Sequence, residues 1–289
     1  MDDVTLGVIG GSGVYDIEAL QDVEEIHVET PFGEPSDALV VGALSGVRVA
    51  FLPRHGRGHR IMPNELNARA NIYALKSVGV QYIVSISACG SMREDYAPRH
   101  IVIPDQIFDR TKARPNSFFG DGLVAHISFH EPFCPELSAL VYQAVQRTGA
   151  EVHRGGTFVV IDGPQFSTKA ESRIYRQWGV DIIGMTAVPE AKLAREAEIC
   201  YATMAHVTDY DVWHETEEPV TVAMLIDNLN ANAAVTKQAL TYLVPLIAQH
   251  KTRTCQCPSA LATAILTERS RIPDQVKRDL GLLVDKYLS

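Results

Sequence analysis

The sequence predicts an α/β fold built on a single, mostly parallel β-sheet flanked by helices. Two observations predict it. Short apolar runs of strand length alternate with helical patterns along the chain. Polar, glycine-rich or basic clusters recur just after the apolar runs, where open α/β sheets bind their ligands. The 289 residues, 46% of them hydrophobic, are ample for one large core. With no internal repeat or shift in composition, residues 1–289 are expected to form one domain, with 251–289 as a C-terminal extension packed on it.

The elements follow in order. Thr5–Ile9 reads as a strand, and Val47–Leu52 as another. Asn64–Val78 has helical periodicity and stops at Gly79. Tyr82–Ser87 and Ile101–Ile103 are strand-like, and Cys134–Gly149 is helical. Thr157–Ile161 is a β-branched strand. Lys169–Trp178 follows as a helix, with Thr168 and Glu171 placed to form a capping box. Asp181–Met185 is a short strand, Val188–Glu198 a helix and Ile199–Val207 a long buried strand. Val222–His250 reads as one long helix containing Pro245, and Pro273–Leu288 as a final amphipathic helix.

Charge narrows the function. The net charge is −9, from 26 basic and 35 acidic residues, and no long basic stretch offsets it. A general nucleic-acid surface is therefore not expected. No apolar run approaches the ~20 residues of a membrane span, and the acidic start lacks a basic leader, so a cytoplasmic protein without membrane partners is expected. The five cysteines include one close pair, Cys255-Gln-Cys257. That pair reads as loop thiols, a strained disulfide or half a metal site. With no second Cys/His pair at zinc spacing nearby, no metal is expected.

The strand ends carry the chemistry. Val8-Ile9-Gly10-Gly11-Ser12-Gly13 resembles an anion-binding loop. It is neither a dinucleotide fingerprint, since Asp16 stands at the third glycine position, nor a P-loop, since no Lys occurs in the first 70 residues. Arg54-His55-Gly56-Arg57-Gly58-His59-Arg60 follows the second strand. Its glycines argue against a helical metal site, so anion binding is expected, with the Arg54 fork and His55 as donors. Ser87-Ala88-Cys89-Gly90-Ser91 offers a hydroxyl and exposed backbone N–H groups; Cys89 reads as a small buried thiol. Phe166 is placed to stack on a flat ring, or to staple the following helix. Thr186 lies near a helix start. Asp209 and Asp211 form a carboxylate pair suited to a glycoside bond, a metal, or an amine and a protonated ring nitrogen.

Taken together, G-V-I-G-G-S-G, R-H-G-R-G-H, S-A-C-G-S, D-G-P-Q-F-S-T-K-A-E, G-M-T-A-V-P-E-A and T-D-Y-D-V-W resemble the methylthioadenosine-cleaving branch of the trimeric purine nucleoside phosphorylase family. The resemblance runs from about residue 5 to residue 250. It implies phosphorolysis of S-methyl-5′-thioadenosine to adenine and 5-methylthioribose 1-phosphate, with inversion at C1′. The alternative it leaves is a purine nucleoside phosphorylase of broader or 6-oxopurine specificity. It implies that Ser12, Arg54, His55, Ser87, Ala88 (through its N–H) and Thr186 hold phosphate, a co-substrate in an enzyme without a cofactor. Asp209 would be the catalytic acid beside Asp211 and Ser167 at the base, with Phe166 stacking on it. Met185 would touch the ribose. Val222, Leu225 and Ile226 would wall the methylthio group, and His126 would reach a neighbouring subunit. It implies a homotrimer or a dimer of trimers, and disulfides in some relatives, through Cys255 and Cys257 or Cys134 and Cys200.

Overall fold

A computed structural model describes residues 4–11, 19–214, 222–250 and 252–288, with the side chains of 222–231 outside the description. Among the described residues, eleven strands form one sheet. β1 (Leu6–Gly10) lies between β4 (Val47–Pro53) and β5 (Tyr82–Ser91), parallel to both. β3 (Leu39–Leu44) and β2 (Gln21–Ile26) extend the β4 side as antiparallel neighbours. β11 (Cys200–Asp209) runs parallel to β5 from Tyr82 to Gly90 and carries β6 (Ile101–Ile103), which pairs with β8 (Val152–Arg154). On the other edge, β10 (Ile182–Gly184) joins the last residues of β5 and continues to β9 (Thr157–Val160) and β7 (Gln106–Asp109).

Helices cover both faces, as the alternating sequence pattern predicts. α1 (Ala68–Ser77), α4 (Ala187–Glu196) and α6 (Asp274–Leu288) bury Ile72, Leu75, Leu193, Leu280 and Leu283 in one apolar cluster. α2 (Pro135–Gln146) and α5 (Val222–Gln249) bury Leu137, Val141, Leu240 and Leu243 in a second. α3 (Lys169–Gln177) caps the β9–β10 end through Tyr175. The Thr168–Glu171 capping box forms as expected. Residues of the C-terminal segment, Leu261 and Ala264 among them, belong to the first cluster.

The sequence reading omits β2, β3, β7 and β8. β2 is an exposed edge strand with three acids in six residues and no apolar alternation. β3 contains Gly42, where a Cβ would lie 2.7 Å from Leu20 Cγ, and a glycine interrupts the strand signal. The first helix starts at Ala68 rather than Asn64, because the Asn67 side chain accepts from the Ala70 N–H and fixes the N-cap there.

One departure from a parallel sheet decides where the site lies. β1 pairs with β5 from Tyr82 to Ser85, and β10 with Gly90 and Ser91 on the same side. Ile86–Cys89 therefore faces a fork between two neighbours. β10 is antiparallel to β5, so its exit runs back toward that fork. The carboxyl ends of β4, β1, β5, β10 and β11 all converge on one region.

Candidate active site

Arg54 leaves the end of β4 beside the end of β1, where its N–H donates to the Gly10 carbonyl at 2.9 Å. Its side chain is buried and donates from Nε to Glu190 Oε1 at 2.6 Å and from Nη2 to Glu190 Oε2 at 3.2 Å. Nη2 also donates to Ser85 Oγ at 2.6 Å, and Nη1 to the Ile86 carbonyl at 2.8 Å. Sequence reading gives the guanidinium's forked edge to an anion. The structure commits it to Glu190, so one Nη1 hydrogen is left for a ligand. Glu190 completes a buried network by accepting from Tyr201 Oη at 2.9 Å. Sequence reading assigns Glu190 no role; its signal is an acidic residue in the first turn of α4, where the helix dipole favours negative charge.

His55 follows. Its Nδ1 lies 2.8 Å from the Ile61 carbonyl. A carbonyl only accepts, so Nδ1 carries the proton. Burial, then the Arg54 charge, lowers the imidazole pKa to about 4, and the ring is neutral at pH 7. Nε2 therefore presents a lone pair and not the donor expected from sequence. The chain folds back here through Gly56 and Gly58, at φ +68° and +79°, as the expectation of a non-helical loop requires.

Ser87 is buried on β5, and its hydroxyl lies 3.0 Å from that of Thr186. Thr186 stands before α4 and makes no side-chain cap to it, which leaves its hydroxyl for Ser87 or a ligand. Along a strand, successive residues turn their N–H and C=O to opposite edges. The Ile86 carbonyl meets Arg54 in the fork, and the Cys89 carbonyl meets Thr208 of β11 at 3.2 Å. Ala88 shares the edge of Ile86, so its N–H faces the fork. Ser12 lies outside the described residues.

Asp209 ends β11. A register shift between Val207 and Asp209 sets it opposite Gly90 of β5, a bulge that re-aims the side chain. Oδ2 accepts from Thr208 Oγ1 at 2.6 Å, and Oδ1 from the Asp211 N–H at 2.8 Å. The two carboxylates do not share a strand face, as i, i+2 spacing would suggest, because the strand stops and Asp211 turns to φ +54°. Burial raises the Asp209 pKa against both donations. Burial also lifts Asp211 to about 6. Among the described residues, Asp211 Oδ2 is buried without a hydrogen-bond partner, and so is Ser167 Oγ. Buried unpartnered polar atoms cost about 1–3 kcal/mol each, and two of them among the residues read as base contacts point to a polar ligand. Cys89 is buried, and burial pushes its thiol pKa up well beyond the usual range, as a packing thiol requires.

Gly90 is fixed by this geometry. A Cβ there would lie 2.9 Å from Asp209 Oδ1 and 3.0 Å from Ile183 Cγ2. Gly90→Ala is expected to displace Asp209 and lower kcat/KM by roughly 10²-fold, with little change in thermal stability. Steady-state kinetics beside a melting curve check this; unchanged kinetics would remove Gly90 from the positioning of Asp209.

The remaining predicted residues divide. Met185 packs against Gly163, where a Cβ would meet its sulfur at 2.4 Å. Arg114 pins these loops together, donating to the carbonyls of Met185 and Val188 from Nη1 and to Ile161 and Asp162 from Nη2. Sequence reading misses Arg114, which carries no motif. Phe166 is 44% exposed and so does not staple α3 to the core. His126 is exposed, outside the strand-end cluster, on a segment bridged to Ile265. The side chains of Val222, Leu225 and Ile226 lie outside the described residues.

Residues 5–245 match the family model of the phosphorylase superfamily. The chain belongs to this superfamily. Within it, the chain is 56% identical to the S-methyl-5′-thioadenosine phosphorylase of Geobacter sulfurreducens, over 98% of this chain and 99% of the relative. It is 55% identical to the protein of the same name from Chloroflexus aurantiacus, over the full length of both. Among solved structures, a methylthioadenosine phosphorylase from an Antarctic soil metagenomic library superposes with a TM-score of 0.94 at 48% identity, covering 98% and 100% of the two chains. A methylthioadenosine phosphorylase from Schistosoma mansoni in complex with adenine gives 0.82 at 35% identity, covering 98% of each. The superfamily fold agrees with the mixed, mostly parallel sheet flanked by helices that the sequence predicts.

Proposed function

We propose that the chain catalyses the reversible phosphorolysis of S-methyl-5′-thioadenosine, releasing adenine and 5-methylthioribose 1-phosphate with inversion at C1′. The observation that carries this is the buried Asp209–Asp211 pair, in which Asp211 Oδ2 has no hydrogen-bond partner among the described residues. Such an arrangement suits a purine bearing an exocyclic amine. A carboxylate accepts from the amine, and a protonated carboxyl donates to N7. The names of the full-length relatives support the same reaction.

Phosphate is the co-substrate and no cofactor takes part. It would sit in the fork, held by Ser87, Thr186, the Ala88 N–H and the last free hydrogen of Arg54, with Ser12 from the glycine loop. Its oxygen attacks C1′ on one face of the sugar as the C1′–N9 electron pair withdraws into the purine on the other. Asp209 gives its proton to N7, so the base leaves neutral. The protein's part is positioning and charge stabilisation around an oxocarbenium-like transition state. Adenine release from methylthioadenosine, measured with and without phosphate beside adenosine and methylthioinosine, tests the reading. Phosphate-dependent release, strongest for methylthioadenosine, is expected. Release without phosphate would make the enzyme a hydrolase, and preference for the 6-oxo substrate would overturn the base assignment.

The tautomer of His55 adds a sharper expectation. Nε2 accepts, and hydrogen phosphate carries a proton to give it, whereas sulfate at neutral pH carries none. His55→Ala is expected to lower kcat/KM for phosphate by roughly 10–150-fold, the worth of one hydrogen bond to a charged group. Inhibition by sulfate should barely change. Equal weakening of both anions would mean that Nε2 makes no such bond.

The assembly is proposed as a homotrimer, with a dimer of trimers as the alternative. Support lies around His126, where Val124 and Leu266 are exposed large apolar residues on hydrogen-bonded neighbouring segments. No helix among the described residues is long and apolar enough to cross a membrane, and the cytoplasm is the proposed location.

A further inference from the structure

The four cysteines Cys134, Cys200, Cys255 and Cys257 bring their sulfurs within 4.8 Å of one another, with Cys200 Sγ and Cys255 Sγ at 3.5 Å. Three parts of the chain meet there. Cys134 is the N-cap of α2, Cys200 opens β11, and Cys255 and Cys257 follow α5. Sequence reading leaves Cys255-Gln-Cys257 without a second pair because Cys134 and Cys200 are remote along the chain. The fold supplies that pair.

We propose that these four cysteines form a structural tetrathiolate site for a soft divalent cation, with zinc as the expected ion. A zinc–sulfur bond of about 2.3 Å in a tetrahedron sets the sulfurs about 3.8 Å apart, inside the spread found here. Binding converts four thiols to thiolates and releases four protons, giving a dianionic centre.

The surroundings suit that charge. The Leu137 N–H donates to Cys134 Sγ at 3.5 Å, at the positive end of α2. Arg195 is buried and donates to the carbonyls of Ser128 and Glu131, and no carboxylate among the described residues pairs with it. Arg195 lies near enough to Cys257 for its charge to be felt there. Two neutral disulfides would leave that guanidinium without a counter-charge; a tetrathiolate provides one. The approach to Cys255 is also fixed in advance, since Glu136 accepts from the Thr254 N–H at 3.1 Å and from its hydroxyl. On the far side, Lys286 donates to the Pro258 carbonyl at 3.2 Å. Four protein ligands leave no open position, so the ion would staple residues 252–288 to the sheet and take no part in catalysis. Cys255, half-buried where the other three are buried, gives the ion its entry.

The test is the metal content of the full chain, expressed with added zinc and purified under reductant without chelator. About one zinc per chain is expected, released when a mercurial has consumed four thiols. Cys255→Ser and Cys257→Ser should each lose it, while Cys89→Ser keeps it. Cobalt in place of zinc should give the intense visible bands of a tetrahedral thiolate site. Metal-free wild type with all five thiols free overturns the proposal. So does an intact mass short by two hydrogens per disulfide, or zinc retained by both variants. Should the variants fail to fold, the wild-type zinc content and its release per thiol still decide.

Discussion

Asp209→Asn is expected to lower kcat/KM for methylthioadenosine by roughly 10²–10⁴-fold, the range for loss of a positioned proton donor. The change should leave the fold intact. Asn keeps an oxygen for the Asp211 N–H, and its amide meets the Thr208 hydroxyl, which rotates to accept. What disappears is the acid. In the native chain, burial raises the Asp209 pKa although two donors stabilise its charge, so the proton is held more tightly than on a free carboxyl. An amide has no proton to give N7 in the same direction, and its NH₂ faces the adenine amine as a second donor. A 6-oxopurine nucleoside offers O6 to that NH₂, so inosine cleavage should suffer less. Equal losses on both substrates, at unchanged melting temperature, would remove Asp209 from recognition of the base.

The convergence of these residues was only partly legible beforehand. Strand–helix alternation gives the fold class because each burial pattern has its own period, and the ends of β4, β5 and β11 were visible as apolar runs yielding to polar clusters. The direction of β10 was not. Nothing in Asp181–Met185 says whether the strand runs with or against β5, yet that direction brings Thr186 back to Ser87. Edge strands such as β2 escaped because an exposed ladder needs no apolar alternation. At the site, side-chain types were readable and their partners were not. Arg54 is an obvious anion donor in sequence, but whether its fork is free depends on a residue 136 positions away. His55 is a donor or an acceptor according to the carbonyl of Ile61, a contact made by loop geometry and carried by no motif. The cysteine cluster shows the same limit, since pairing along the chain says little about four thiols gathered from three elements.

Glu190→Ala is expected to be the most destabilising single change in the site. It removes both oxygens that hold Arg54 and leaves a guanidinium buried without an opposing charge, beside a Tyr201 hydroxyl that has lost its acceptor. Breaking one side of a buried ion pair costs about 3–5 kcal/mol. The pair is well built: burial lowers the Arg54 pKa, and Glu190 together with Tyr201 more than offsets that. Removing both charges together should be far milder. Arg54→Met with Glu190→Leu fills the space with apolar volume, and such replacements are often neutral or stabilising. The double variant should therefore melt well above Glu190→Ala while remaining inactive, because Arg54 no longer offers its last hydrogen to phosphate or orders the fork through the Ile86 carbonyl. That split between stability and activity is the informative result. If Glu190→Ala melts within about 1 kcal/mol of wild type, the network carries little of the fold. If the double variant keeps phosphate-dependent turnover, Arg54 serves the scaffold alone, and the anion is held by Ser87, Thr186 and the backbone of β5.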